Sequence, residues 1–90
     1  MTRRVVITGV GAVTPVGNSA EASWESLVQG KSGIGPLERI DAEQFNVKVA
    51  GEIKGFDIEE FVAKKDARKM DLFVHYALAS SMMAMKDANL

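Results

Sequence analysis

The chain has 90 residues, 47% hydrophobic and 26% charged, the balance of a globular protein of one small domain at most. A net charge of −1 excludes global attraction to nucleic acid or to an anionic membrane. With no cysteine and one histidine, disulfides and thiolate metal sites are excluded and zinc has no donor set. No run approaches the ~20 apolar residues that cross a bilayer.

The opening, Val5-Val6-Ile7-Thr8-Gly9-Val10-Gly11-Ala12-Val13-Thr14-Pro15-Val16-Gly17-Asn18, reads as a buried strand, a glycine-rich loop and a helix start. Successive β-branched residues suit a strand covered on both faces in a parallel α/β sheet. The loop imitates a dinucleotide fingerprint, but Thr14 stands where the third glycine is needed. Leu27-Val28-Gln29-Gly30, a helix-end pattern, occupies the place of the acidic second strand. Gly30-Lys31-Ser32 imitates the end of a phosphate-binding loop, yet Glu25 takes the place of its first glycine. The glycines and Pro15 also break the apolar stretch that a secretory leader needs, despite Arg3-Arg4 and Ala20-Glu21-Ala22.

Asn18 and Glu21 have the spacing of a capping box, and Ala20, Trp24, Leu27 and Val28 then share a face of a helix that Gly30 ends. Trp24 is expected to pack in a core. Residues 30–36 are loop; Val47 and Val49, alternating with polar neighbours, predict a short half-exposed strand ending near Gly51. Asp57 and Glu60 repeat the capping spacing before a helix of about two turns over Ile58 to Ala63. From Leu72 to Met85 only His75, Ser80 and Ser81 are not apolar, so a helix capped by Asp71 has no polar face of its own. Asn89 suits the left-handed position after it, with Leu90 folding back onto Met85. Such a helix needs cover that the rest of this short chain cannot provide. His75 reads as a packed or hydrogen-bonded side chain, and Met82, Met83 and Met85 as adaptable filling.

Lys64, Lys65, Arg68 and Lys69 place four of the 11 basic residues within six positions, opposed only by Asp66. Charge alone describes either a solvated turn between two helices or a docking patch for an acidic partner. Nucleic acid is a poor partner, because no aromatic residue interleaves with the cations.

Taken together, Arg3-Arg4-Val5-Val6-Ile7-Thr8-Gly9, Thr14-Pro15-Val16-Gly17-Asn18, Trp24, Gly30-Lys31-Ser32-Gly33-Ile34, Phe45, Ala50-Gly51, Arg68-Lys69-Met70-Asp71, Tyr76-Ala77 and Asp87-Ala88 resemble, in register, the N-terminus of the β-ketoacyl-acyl carrier protein synthases. These are the condensing enzymes of fatty acid synthesis, and the long-chain elongating type (synthase II) fits best. The resemblance implies an α/β fold, the N-terminal piece of a thiolase-like α-β-α-β-α layered arrangement, with residues 1–90 a single domain incomplete on its own. It implies a cytoplasmic homodimer that elongates acyl chains by decarboxylative Claisen condensation and needs no cofactor. The family's cysteine nucleophile and two histidines lie beyond this segment, and His75 matches neither, so no catalytic residue is expected here. Acyl carrier protein and the remainder of the synthase are the implied partners, with Lys65, Arg68 and Lys69 docking the carrier and Lys64 accessory. Polyketide ketosynthases and their non-catalytic chain-length-factor partners share much of the pattern and stand as the alternative.

Overall fold

A computed structural model describes residues 2–90, which divide into two compact units: one of residues 2–12 with Asp57–Leu90, the other of Val13–Phe56.

The second unit begins with a tight turn. The Thr14 amide donates to the Gly17 carbonyl at 2.8 Å, the Gly17 amide returns a bond of 3.2 Å, and the Val16 amide donates to Thr14 Oγ1. Helix α1 (Ala20–Val28) is pinned to this turn by its own serines. Ser23, 6% exposed, shares a 2.7 Å hydrogen bond with Thr14 Oγ1, and Ser26 donates to the Val16 carbonyl at 2.8 Å. The cap of α1 is Ser19, whose Oγ accepts from the Ala22 amide, and not Asn18. Asn18 instead spends its amide on the Lys54 carbonyl, 36 residues away in sequence. Gly30 ends the helix as expected: at φ 73° it lets its amide reach the Leu27 carbonyl and the Lys31 amide reach the Ser26 carbonyl.

Strands β1 (Ile34–Pro36) and β2 (Val49–Gly51) pair antiparallel, with Ile34 opposite Gly51 and Pro36 opposite Val49. Beyond the paired residues the Leu37 amide donates to the Lys48 carbonyl at 2.9 Å. The strand ending at Gly51 was legible; its partner lies inside what reads as loop. A 3-10 turn at Ala42–Gln44, capped by Asp41, connects the two.

In the first unit the expected two-turn helix over Ile58 to Ala63 is a single 3-10 turn, Ile58–Glu60, capped by Asp57. The chain becomes extended at Ala63 (φ −64°, ψ 145°) and starts again as α2 (Lys64–Ala67). Helix α3 (Leu72–Asp87) runs past the expected end at Met85. Asp71 stands at its N-terminus without a side-chain capping bond. Asn89 is left-handed at φ 62°, and the Leu90 amide closes the end on the Met85 carbonyl, although the Leu90 side chain remains 89% exposed.

Residues 2–12 carry no helix or strand; Gly9 and Gly11 touch the backbone of α3, and the Val10 amide donates to Asp87 Oδ2 at 3.0 Å. They form no strand ladder, and Val5 and Ile7 are 93% and 84% exposed, contrary to the buried strand expected. The reason is plain: among the described residues the only sheet is the β1–β2 ribbon, so no ladder or layer is present to cover them. Trp24 also departs from expectation at 67% exposure, because α1 buries its serine side against the turn and leaves its apolar side open. The buried residues are small: Ala67, Ala79 and Ser23.

Candidate functional site

The basic cluster sits on α2 and the turn that follows it. Ala63 begins α2 by accepting from the Asp66 and Ala67 amides, and Arg68 closes it by donating its amide to the Lys64 carbonyl. The Ala67 carbonyl then accepts from the Met70 amide at 3.2 Å, which makes Arg68 and Lys69 the central pair of a four-residue turn. Lys65, Arg68 and Lys69 stand at i, i+3 and i+4, the spacing that brings side chains to one side of a helical turn. Ala67 is buried at 7% exposure and faces the body of the unit, so the cations are left outside.

All four cations, and Asp66 between them, are exposed. Among the described residues no side-chain hydrogen bond or ion pair engages Lys64, Lys65, Arg68 or Lys69. The site is therefore an exposed, charge-bearing corner whose cations form no ion pair among the described residues. It can hold an acidic surface by Coulomb attraction, but it contains no nucleophile. Metal chemistry has no support either, because the described residues hold no group of three or more histidine, cysteine or acidic side chains.

The glycine-rich loop is closed for phosphate binding on geometric grounds. Thr14, Val16 and Gly17 engage their amides within the loop and Val10 donates to Asp87, so these four N–H groups are not offered to an anion. A separate cavity of about 490 Å³ is lined by Glu60, Phe61, Met82, Met83 and Lys86. Met82 and Met83 border this space, and Met82 and Met85 are 41% and 54% exposed, so they are not packed as core filling; Glu60 and Lys86 are its charged lining. Sequence reasoning did not find one contact: His75 of α3 meets the Ala67 carbonyl at 2.9 Å through Nε2. The eight-residue separation crosses a turn and has no local signature.

Residues 2–90 match the family described as beta-ketoacyl synthase, N-terminal domain, and the chain belongs to that family. Its relatives include the 3-oxoacyl-acyl-carrier-protein synthase 2 of Vibrio cholerae, 50% identical over 88 residues. That of Staphylococcus aureus is 48% identical over 88 residues, and each match covers 98% of this chain. The chain spans about a fifth of these relatives' length, 21% in each case. Among solved structures, the ishigamide ketosynthase/chain length factor superposes with a TM-score of 0.83 at 34% identity, covering 100% of this chain and 22% of that one. The fold is thus the N-terminal piece of a thiolase-like ketosynthase fold. No helix among the described residues is long and apolar enough to cross a membrane.

Proposed function

We propose that this chain is the N-terminal part of a 3-oxoacyl-acyl carrier protein synthase that elongates fatty acids, and that Lys65, Arg68 and Lys69, aided by Lys64, dock its carrier protein. The observation that carries the first half is the 50% identity to a synthase 2 over 98% of the chain. The exposed and unpaired state of the four cations supports the second half.

In this reading a cysteine outside the segment takes the acyl group as a thioester. Malonyl-carrier protein then loses CO2, and the resulting carbanion attacks that thioester, releasing the cysteine thiolate and giving a 3-oxoacyl-carrier protein. Decarboxylation supplies the nucleophilic carbon, so the condensation needs no metal or organic cofactor. The segment contributes scaffold and docking, and the enzyme works as a cytoplasmic homodimer. The 90-residue chain has no cysteine and is expected to be inactive alone.

The test is to express the complete synthase and supply acyl- and malonyl-carrier protein. A 3-oxoacyl product two carbons longer, with one CO2 released per turnover, supports the reading; absence of both overturns it. A chain-length-factor-like, non-catalytic subunit is the second reading. It is favoured by the likeness to the ketosynthase/chain length factor, though at 34% identity against 50%. A cysteine and two histidines in the remainder of the protein favour the enzyme; loss of the cysteine favours the subunit.

A further inference from the structure

We propose that His75 is a positioning residue for the basic corner: its imidazole holds the carbonyl on which the Arg68–Lys69 turn closes, and so presets the docking geometry. This rests on the docking reading given above and deepens it.

The Ala67 carbonyl has two donors. The Met70 amide reaches it at 3.2 Å and closes the turn, and His75 Nε2 reaches it at 2.9 Å from the first turns of α3. A carbonyl oxygen only accepts, so Nε2 carries the hydrogen of this bond. Ala67 is buried and His75 half-buried, so water competes weakly for this bond.

Besides this bond, α2 packs against the three-residue Ile58–Glu60 turn. Helix α2 has only four residues and no side-chain cap at Ala63. So short a helix is not stable on its own and depends on tertiary anchors. Like charges on Lys65, Arg68 and Lys69 push the corner open, and the imidazole joins it to the 16-residue helix that follows. A docking surface held in one geometry loses less entropy on association than one that must be ordered by its partner.

The experiment uses the complete synthase and the ratio of kcat/KM for carrier-bound substrate to that for the same acyl group on a short pantetheine-like thiol. His75→Phe keeps a ring and removes the donor. His75→Gln restores an amide N–H the same number of bonds from Cβ as Nε2. The ratio should fall roughly three- to tenfold in His75→Phe, the value of one partly buried hydrogen bond, and recover in His75→Gln. Amide exchange at Met70 should accelerate in the first variant and not in the second. If His75→Phe does not yield folded enzyme, His75→Leu serves as the donor-free variant.

A ratio unchanged in the donor-free variant, while Lys65→Glu, Arg68→Glu or Lys69→Glu lowers it, would overturn the role of His75 and leave docking intact. Equal losses with both substrate forms, or no recovery in His75→Gln, would make the histidine merely structural and also overturn it. Charge reversals that leave the ratio unchanged would sink the docking reading itself, and this inference with it.

Discussion

At Gly11 an added Cβ would stand 2.1 Å from the Ser80 carbonyl oxygen and 2.7 Å from the Ala84 amide nitrogen; at Gly9 it would stand 2.4 Å from the Ala84 oxygen. These neighbours are backbone atoms of α3, so they cannot swing aside as a side chain would. Gly11→Ala should therefore cost about 1–3 kcal/mol, the usual range for overpacking, read as a lowered Tm of the complete protein. Gly35→Ala, where nothing lies within 4 Å, is the control and should stay within about 0.5 kcal/mol. The cations belong to the same scale, and in the docking reading proposed above they act on association. Reversing Lys65, Arg68 and Lys69 together should lower kcat/KM for carrier-bound substrates roughly tenfold, the low end of what electrostatic steering spans. The loss should shrink with added salt, because exposed charges are screened beyond about 8 Å at physiological ionic strength. A salt-independent loss would point to damage to the fold.

The helices end by local chemistry and begin by longer-range bargaining, and this difference decided what could be read in advance. Gly30 and Asn89 supply left-handed residues that close α1 and α3 on their own last carbonyls, so both ends were visible as single letters. The start of α1 was misplaced by one residue because Asn18 is engaged by Lys54, and no local window contains both. The turn at Ile58–Glu60 was read as longer because a second helix start, at Ala63, follows before the first can propagate. Strand β1 was missed since Gly35 and Pro36 carry turn chemistry and gain strand form only through pairing with Ala50 and Val49. Of the candidate site, the cations and their grouping were legible in the sequence; the carbonyl contact of His75 was not. Two measurements follow at this scale. Ser19→Ala and Gly30→Ala each remove about 1 kcal/mol from α1, the first by losing a cap and the second by forcing a Cβ into a left-handed backbone. Amide exchange across Ala20–Val28 should then quicken about fivefold in each.

Taken as a whole, the described residues leave most of their large apolar side chains exposed. Val5, Ile7, Trp24, Val28 and Phe73 are all more than 60% exposed, while the buried hydrophobic residues are two alanines. Among the described residues no large side chain is fully buried. A chain of this kind gains little from folding alone, since the hydrophobic term scales with area removed from water. The isolated 90 residues should therefore associate or remain loosely packed. Light scattering and amide spectra would check this: a monodisperse monomer with dispersed resonances and cooperative unfolding would contradict it.

The bond from the Val10 amide to Asp87 carries a consequence for the order of events during synthesis. Its partners are 77 residues apart, and the glycine contacts beside it depend on the same helix. At about 5–20 residues per second, roughly four to fifteen seconds separate the emergence of the first dozen residues from that of α3. Throughout that interval Gly9, Val10 and Gly11 lack the helix they contact, and the neighbouring β-branched Val5-Val6-Ile7 stretch is as open as it remains afterwards. The pace of translation over these 77 residues, and not the stability of the finished fold, sets how long Val10 waits for its partner.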